Sequence, residues 1–331
     1  MRMLRAILAV LFTSLMMGCA SRDAVNDPAL AAERKGVEFL SKDVPAWYKE
    51  NGCFSCHNNG DAARALYLAS QKGYRIPAAT LAGTTAWLQR PQTWEDNKGD
   101  PGFSDQRLAD VQFAAALLTA IDTGHAENTH ALKEAGGRVI KGQAEDGSWP
   151  IDALGTLGSP ATYGAPLATH MAVQVLREIN TEEARKSTVQ AESWLRTSVP
   201  VNSALNAAAL LLTFKYSTDE ITAEKRARSI QLLLRSQTSD GGWGAYPDSP
   251  PEIFDTAIVL LALAPDRNQS DVAKAVARGR AFLAANQYED GSWPATTRPA
   301  GGNSYAQQLS TTGWAVNALL HSRKPPPIEL W

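Results

Sequence analysis

Two cysteines and a histidine stand together in NGCFSCHNNG, residues 51 to 60, in the order C-x-x-C-H at Cys53, Cys56 and His57. That order is the attachment signature of a c-type haem. One short turn lets two thiols reach the two vinyl groups on one edge of a porphyrin and sets His57 beneath the iron as proximal imidazole. The spacing predicts one covalently held haem c per chain. A thioredoxin-like redox pair and a plain disulfide are the alternatives that a bare C-x-x-C leaves open.

The compartment bears on the choice. MRMLRAILAVLFTSLMMGCAS carries Arg2 and Arg5, an apolar run from Ala6 to Met17 and small residues around Cys19. This is the layout of a secretory signal, too short to span a membrane as a mature helix. The stretch LMMGC resembles a bacterial lipoprotein signal, with Leu15 four residues before Cys19 where that pattern has three. The resemblance implies lipidation of Cys19 and, with Ala20 after it, the periplasmic face of the outer membrane. Cleavage after Ala20 to give a soluble periplasmic protein is the alternative. The three cysteines are then used up, Cys19 for lipid and Cys53 and Cys56 for haem, with none left for a structural disulfide.

A formal net charge of -2 with interspersed signs offers no basic stripe for nucleic acid and no polybasic membrane patch. The membrane enters only through the lipid. A hydrophobic share of 44% and no long Gly/Ser linker favour one compact unit. The expected division is a signal over 1–19, a tether over 20–32, the folded body over 33–322 with the haem loop at 51–60, and a Pro-rich tail over 323–331.

Internal repeats set the architecture. QAEDGSW at Gln143 to Trp149, QTSDGGW at Gln237 to Trp243 and QYEDGSW at Gln287 to Trp293 share the form Q-x-x-D-G-x-W. Their tryptophans lie 94 and 50 residues apart, so one repeat spans about 47 to 50 residues and a degenerate copy lies between the first two. An amphipathic helix precedes each loop and an apolar, alanine-rich helix follows it. Six apolar helices are expected, from Asp61, Leu108, Pro166, Asn202, Phe254 and Leu309. Six amphipathic partners precede them, near 31–41, 79–90, 130–142, 183–196, 221–236 and 271–286. Helices apolar on nearly all sides belong inside, and their partners face water on one side. The expectation is an all-α ring of about six helical hairpins, with an open solenoid as the structural alternative.

These loops, with following helices of the type DTAIVLLAL and STTGWAVNAL, resemble the prenyltransferase and squalene-cyclase repeat superfamily over residues from about 30 to 322. The resemblance implies an α/α toroid. It also implies that the loop Gln and Trp are structural and that Asp146, Asp240 and Asp290 form turns. Exported bacterial members with C-x-x-C-H in the first repeat look similar to this chain. The catalytic motifs of the superfamily are not matched. Hopene-type cyclases protonate their substrate with D-x-D-D, a run absent here, and the protein prenyltransferases need a zinc site whose cysteine this chain has assigned elsewhere. Asp255, at the start of the fifth inner helix, is the weak candidate for a degenerate cyclase acid. Stabilisation of the helix N-terminus is its ordinary alternative.

Position by position, Asp61, Gln112, Thr169, Asn206, Thr256 and Thr312 occupy the same early site of the six inner helices and predict a polar ring at one mouth. The haem loop falls at that mouth, where helix N-termini could hold a propionate. His125, His130 and His321 fall at the other rim, on the order of 20 Å away for a helix of about 13 residues. His170 is the favoured sixth ligand, on a face shared with Gln174; Met171 is its alternative and looks more like packing, and a histidine satisfied within its helix, or an iron left without a sixth ligand, are the other readings. The resulting expectation is a haem-bearing lipoprotein for electron transfer or redox sensing, with a periplasmic redox partner. The alternative is an enzyme that uses the toroid cavity, whether terpene-cyclase-like, polysaccharide-acting or a haem-dependent oxidoreductase.

Overall fold

The computed structural model describes residues 27–96, 105–127, 129–151, 157–298 and 301–323. The leader, Cys19, most of the tether and the tail from 324 lie outside these residues. Among the described residues twelve α-helices alternate in chain order. The outer set is α1 (Pro28–Asn51), α3 (Ala78–Leu88), α5 (Thr129–Lys141), α7 (Glu182–Ser198), α9 (Glu220–Arg235) and α11 (Ser270–Ala285). The inner set is α2 (Ala63–Gln71), α4 (Gln106–Asp122), α6 (Gly164–Arg177), α8 (Ala204–Thr213), α10 (Ile253–Leu263) and α12 (Tyr305–His321). A turn of π-helix, Cys56–Ala62, runs directly into α2. Among the described residues the β-structure is one isolated bridge, Trp243 to Glu252.

Each inner helix packs on the next, and α12 returns to pack on the π-turn and α2, so the ring closes. The chain is an α/α toroid of six hairpins, and the solenoid alternative falls. Closure follows from composition. On α10 every residue from Ile253 to Leu260 is buried, whereas α7 buries only Ala184, Ser187, Ala191, Trp194 and Leu195. A helix with apolar side chains all round stays soluble only when neighbours cover every face.

The repeated loops are built by local bonds that recur at each copy. Gln143, Gln237 and Gln287 each donate from Nε2 to the carbonyl of their own loop glycine and to a carbonyl of the next outer helix, Ser187, Ala275 and Ala32 respectively. Trp149, Trp243 and Trp293 are fully buried; their indole N–H groups donate to Val139, Leu233 and Leu283, and their backbone N–H groups to Thr169, Thr256 and Thr312. Asp146 and Asp290 accept from the backbone and hydroxyl of Ser148 and Ser292 at 2.9 and 2.7 Å, which makes them turn formers. Within the predicted polar ring, Gln112 donates to Asp61 of the neighbouring inner helix start. Three of the ring's threonines satisfy tryptophan backbones, because a buried N–H left without an acceptor costs more than an unused cavity hydroxyl gains.

The last loop seals the circle against the first helix. Gly291, at φ +96°, lies so close to the Lys35 carbonyl that any Cβ would overlap it. Gly291→Ala is expected to cost about 1–3 kcal/mol through both the left-handed backbone and this contact. A urea-unfolding midpoint equal to that of the parent would refute that tightness.

Candidate functional site

Asp255 sits in the first turn of α10 with its side chain fully buried. The helix starts there because Glu252 takes an extended backbone after two prolines, Pro250 and Pro251, which cannot continue a helix. Its Oδ2 accepts from the Arg298 guanidinium, and the same nitrogen also reaches Glu252. Its Oδ1 is buried with no partner. Burial, assisted by the Glu252 carboxylate and opposed by Arg298, pushes the Asp255 carboxyl up to about 7. The structure thus places at an inner-helix mouth a buried carboxyl whose pKa burial and the neighbouring Glu252 raise, with one oxygen held by a cation and Oδ1 buried without a donor. Glu252 and Asp255 stand at the first and fourth places of a four-residue run, E-I-F-D, with Phe254 between them. The Phe254 ring meets Trp314 edge to face at 5.9 Å.

Arg298 has a third partner across the mouth, the carbonyl of Gly158 in the loop of the third repeat. Sequence reading offers no signal for Arg298 beyond a lone charge in WPATTRPAGG. Gly158 also lines a cavity of about 390 Å³ between the third and fourth repeats. Its wall is mixed: Leu157, Pro166, Trp194, Val199 and Leu205 supply an apolar side, and Asp146, Ser198, Asn202 and Asn206 are among its polar groups.

A second polar cluster lies inside the ring. Asp61 accepts from Gln112 Nε2 at 2.9 Å, from Ser310 Oγ at 2.6 Å and from the Tyr163 hydroxyl, with Arg64 3.9 Å away. Burial raises the Asp61 carboxyl, and Arg64 with the three donors opposes it. With both oxygens engaged by donors, Asp61 is an acceptor in a structural network, whereas Asp255 keeps an oxygen open. Tyr163 and Ser310 join this cluster from 102 and 249 residues away, and no motif marks either.

The C-x-x-C-H residues border this cluster. Cys53 is buried, and Cys56 opens the π-turn with its thiol pushed up to about 12 by burial and by Asp61. His57 Nδ1 bonds Ser310 Oγ at 2.8 Å, and burial holds its imidazole down to about 4. Since Ser310 gives its proton to Asp61, His57 is the donor in that pair. His170 bonds the Thr213 hydroxyl at 2.9 Å, between neighbouring inner helices, and burial with the charges of Arg177 and Arg64 holds it down to about 3. Gln174, expected on an inward face with His170, is exposed, and Met171 is packed in the core. Among the described residues no three His, Cys, Asp or Glu side chains gather as a metal site.

The toroid has known counterparts. No family model matches the chain. It is similar to a drimenyl diphosphate synthase of Streptomyces showdoensis, 27% identical over 211 residues, which is 60% of this chain and 39% of that protein. The chain therefore spans about two-fifths of the length of that relative. Among solved structures, a variant of the type II terpene cyclase MstE from Scytonema, in complex with geranylgeranyl dihydroxybenzoate, superposes with a TM-score of 0.57 at 14% identity, covering 89% of this chain and 98% of that one. An unsaturated glucuronyl hydrolase specific for heparin reaches a TM-score of 0.65 at 10% identity, covering 89% and 97%. The shared fold is the α/α toroid. At these identities the solved structures speak for the fold alone.

The expectation of a haem lipoprotein for electron transfer or sensing is corrected by these likenesses. The relative that matches in sequence is a terpene synthase, and the toroid neighbours are cyclases and hydrolases, so the findings point to the enzyme alternative. In the structure the His57 ring donates from Nδ1 to Ser310 in the seam between the first and sixth repeats.

Proposed function

We infer that the chain is an enzyme of terpene-cyclase type, in which Asp255 protonates a carbon–carbon double bond of an apolar, isoprenoid-like substrate. The observation that carries this reading is the geometry of Asp255: fully buried at an inner-helix start, one oxygen on Arg298 and an Oδ1 that no donor reaches, burial that also raises its pKa. The π electrons of the alkene take the Oδ1 proton, which leaves a tertiary carbocation and an Asp255 carboxylate. Arg298 stabilises that carboxylate, and the Glu252 charge keeps the acid protonated beforehand. The π face of a buried aromatic such as Phe254, next to Asp255 in the chain, attracts the cation that forms. Support comes from the 27% identity to a terpene synthase, and from a fold that brings the inner-helix mouths together. A lipid anchor at Cys19 after export belongs to the same reading, since it would hold the enzyme beside a membrane that stores apolar substrates.

The test is incubation of the purified chain with farnesyl diphosphate, geranylgeraniol and squalene, with product analysis by gas chromatography and mass spectrometry. A cyclised isomer of one of them is expected. Release of an unsaturated uronic acid from a heparin disaccharide, with every polyene returned unchanged, would replace this reading with a polysaccharide-acting one. The rate should follow the protonated form of Asp255, flat at acid pH and falling tenfold per unit as pH rises above about 7. A rate that rises through that range would exclude Asp255 as the donor.

A further inference from the structure

In the segment from Leu157 to Tyr163 the chain crosses the mouth of the ring. Tyr163 takes φ +59°, a left-handed backbone that bulky residues avoid, and it is the sole such non-glycine among the described residues. The strain is held from both ends. Inside the ring, the Tyr163 side chain is fully buried, its hydroxyl donates to Asp61 of the first repeat, and its ring meets Trp314 of the sixth edge to face at 5.5 Å. At the rim, Arg298 grips the Gly158 carbonyl. Between these ends the segment winds on itself, with Tyr163 N donating to Ser159 O at 2.8 Å and Gly158 packed so tightly on the Tyr163 carbonyl that no Cβ fits.

We propose that Leu157–Tyr163 is a retractable plug, and that the 390 Å³ cavity beside it is the port where the apolar chain of the substrate binds before reaching Asp255. This rests on the reading of Asp255 as the acid. Leu157 and Gly158 form the wall shared by the cavity and the acid cluster, because Gly158 lines the first and is bonded to the arginine of the second. The cavity lies within the roughly 300–1,000 Å³ range of ligand pockets, and the apolar side of its wall suits an unbranched or prenyl hydrocarbon. Asp255 has no exposed surface while the plug is seated. Withdrawal of the plug frees Arg298 from Gly158, empties the Tyr163 position and joins the cavity to the interior. A strained backbone held by two bonds is a two-state element whose balance a ligand can shift.

The experiment uses the full chain and farnesol as an uncharged prenyl probe. Hydrogen exchange at Thr162, Tyr163 and Gly164 is expected to quicken at least tenfold when farnesol saturates the protein. Tyr163→Phe removes the bond to Asp61 and keeps the ring, and Gly158→Ala forces the turn apart, shifting the carbonyl that Arg298 grips while leaving the Asp61, Arg298 and Asp255 side chains themselves unchanged. Both should bind farnesol about tenfold more tightly, since each raises the fraction of open protein, while both melt at a lower temperature than the parent. A merely structural segment would give the lower melting temperature with unchanged or weaker binding, and that result would overturn the plug, as would unaltered exchange in the parent. The acid reading is separated by Asp255→Asn. Polyene turnover kept in that variant, alongside a farnesol-dependent exchange response, removes the acid and leaves the plug. Turnover lost with no exchange response removes the plug and leaves the acid.

Discussion

Asp255→Asn should lower kcat/KM for polyene cyclisation by about 10²–10⁴-fold, the usual contribution of a positioned proton donor. The substitution keeps the shape, and the Asn carbonyl oxygen can still accept from Arg298, so the loss reports the missing acidic proton. Stability should move the other way. The Asp255 carboxyl is raised in the folded protein to about 7, above its unfolded value of about 4. Its contribution to folding is fully present below the unfolded value and is lost as pH rises through about 7, because the folded state must then bury an anion. Asn carries no such penalty. At pH 8 the variant should therefore unfold at a higher denaturant concentration than the parent, with the difference fading toward pH 4. A variant that keeps more than half of the parental rate, or that is less stable at pH 8, would contradict the assignment.

The second large effect concerns the seam of the ring. Trp293→Ala should cost about 3–5 kcal/mol and lower the melting temperature by roughly 10 °C. Trp293 is fully buried, its indole N–H donates to the Leu283 carbonyl at 2.7 Å, and its ring lies against Gly36 of α1, where an added Cβ would sit 2.8 Å from it. Truncation opens a cavity between the last loop and the first helix, and also removes that bond. Val189→Ala, on an exposed face of α7, is the control and should stay within about 0.5 kcal/mol of the parent. Equal unfolding midpoints for the two variants would mean that the indole does not hold the seam.

The repeats were legible because their chemistry is local. In QYEDGSW, Gln287 reaches the carbonyl of Gly291, four residues on, and Asp290 caps Ser292, two residues on; such bonds leave a fixed spacing in the sequence. The inner and outer helices were legible for a similar reason, since burial on all sides puts apolar residues at nearly every position of α10, Asp255 and Thr256 apart, while α7 needs them at only a few. Asp255 itself could be picked out by its place at a helix start, but not its environment. Arg298 lies 43 residues away from it, and Gly158 140 residues from Arg298. Contacts across a ring depend on which repeats face one another, and no periodicity encodes that. The signature at Cys53 to His57 shows the converse. Its spacing is local and specific, yet the first and sixth repeats meet there, and His57 finds Ser310 from 253 residues away. Residue type and spacing describe a segment by itself; closure of the ring decides which distant residues it meets.

Gln287 of the final hairpin donates to Ala32, and Arg323 pairs with Glu33, so the earliest helix to be synthesised is completed by the latest. An open array can grow repeat by repeat, each addition stable on what precedes it. Here α1 keeps an unfinished flank until nearly the whole polypeptide has been made, which ties folding to contacts of high sequence separation and delays it accordingly. A nascent chain stopped before α12 is an arc with two raw ends, exposing apolar surface that holdase chaperones would have to cover in the meantime.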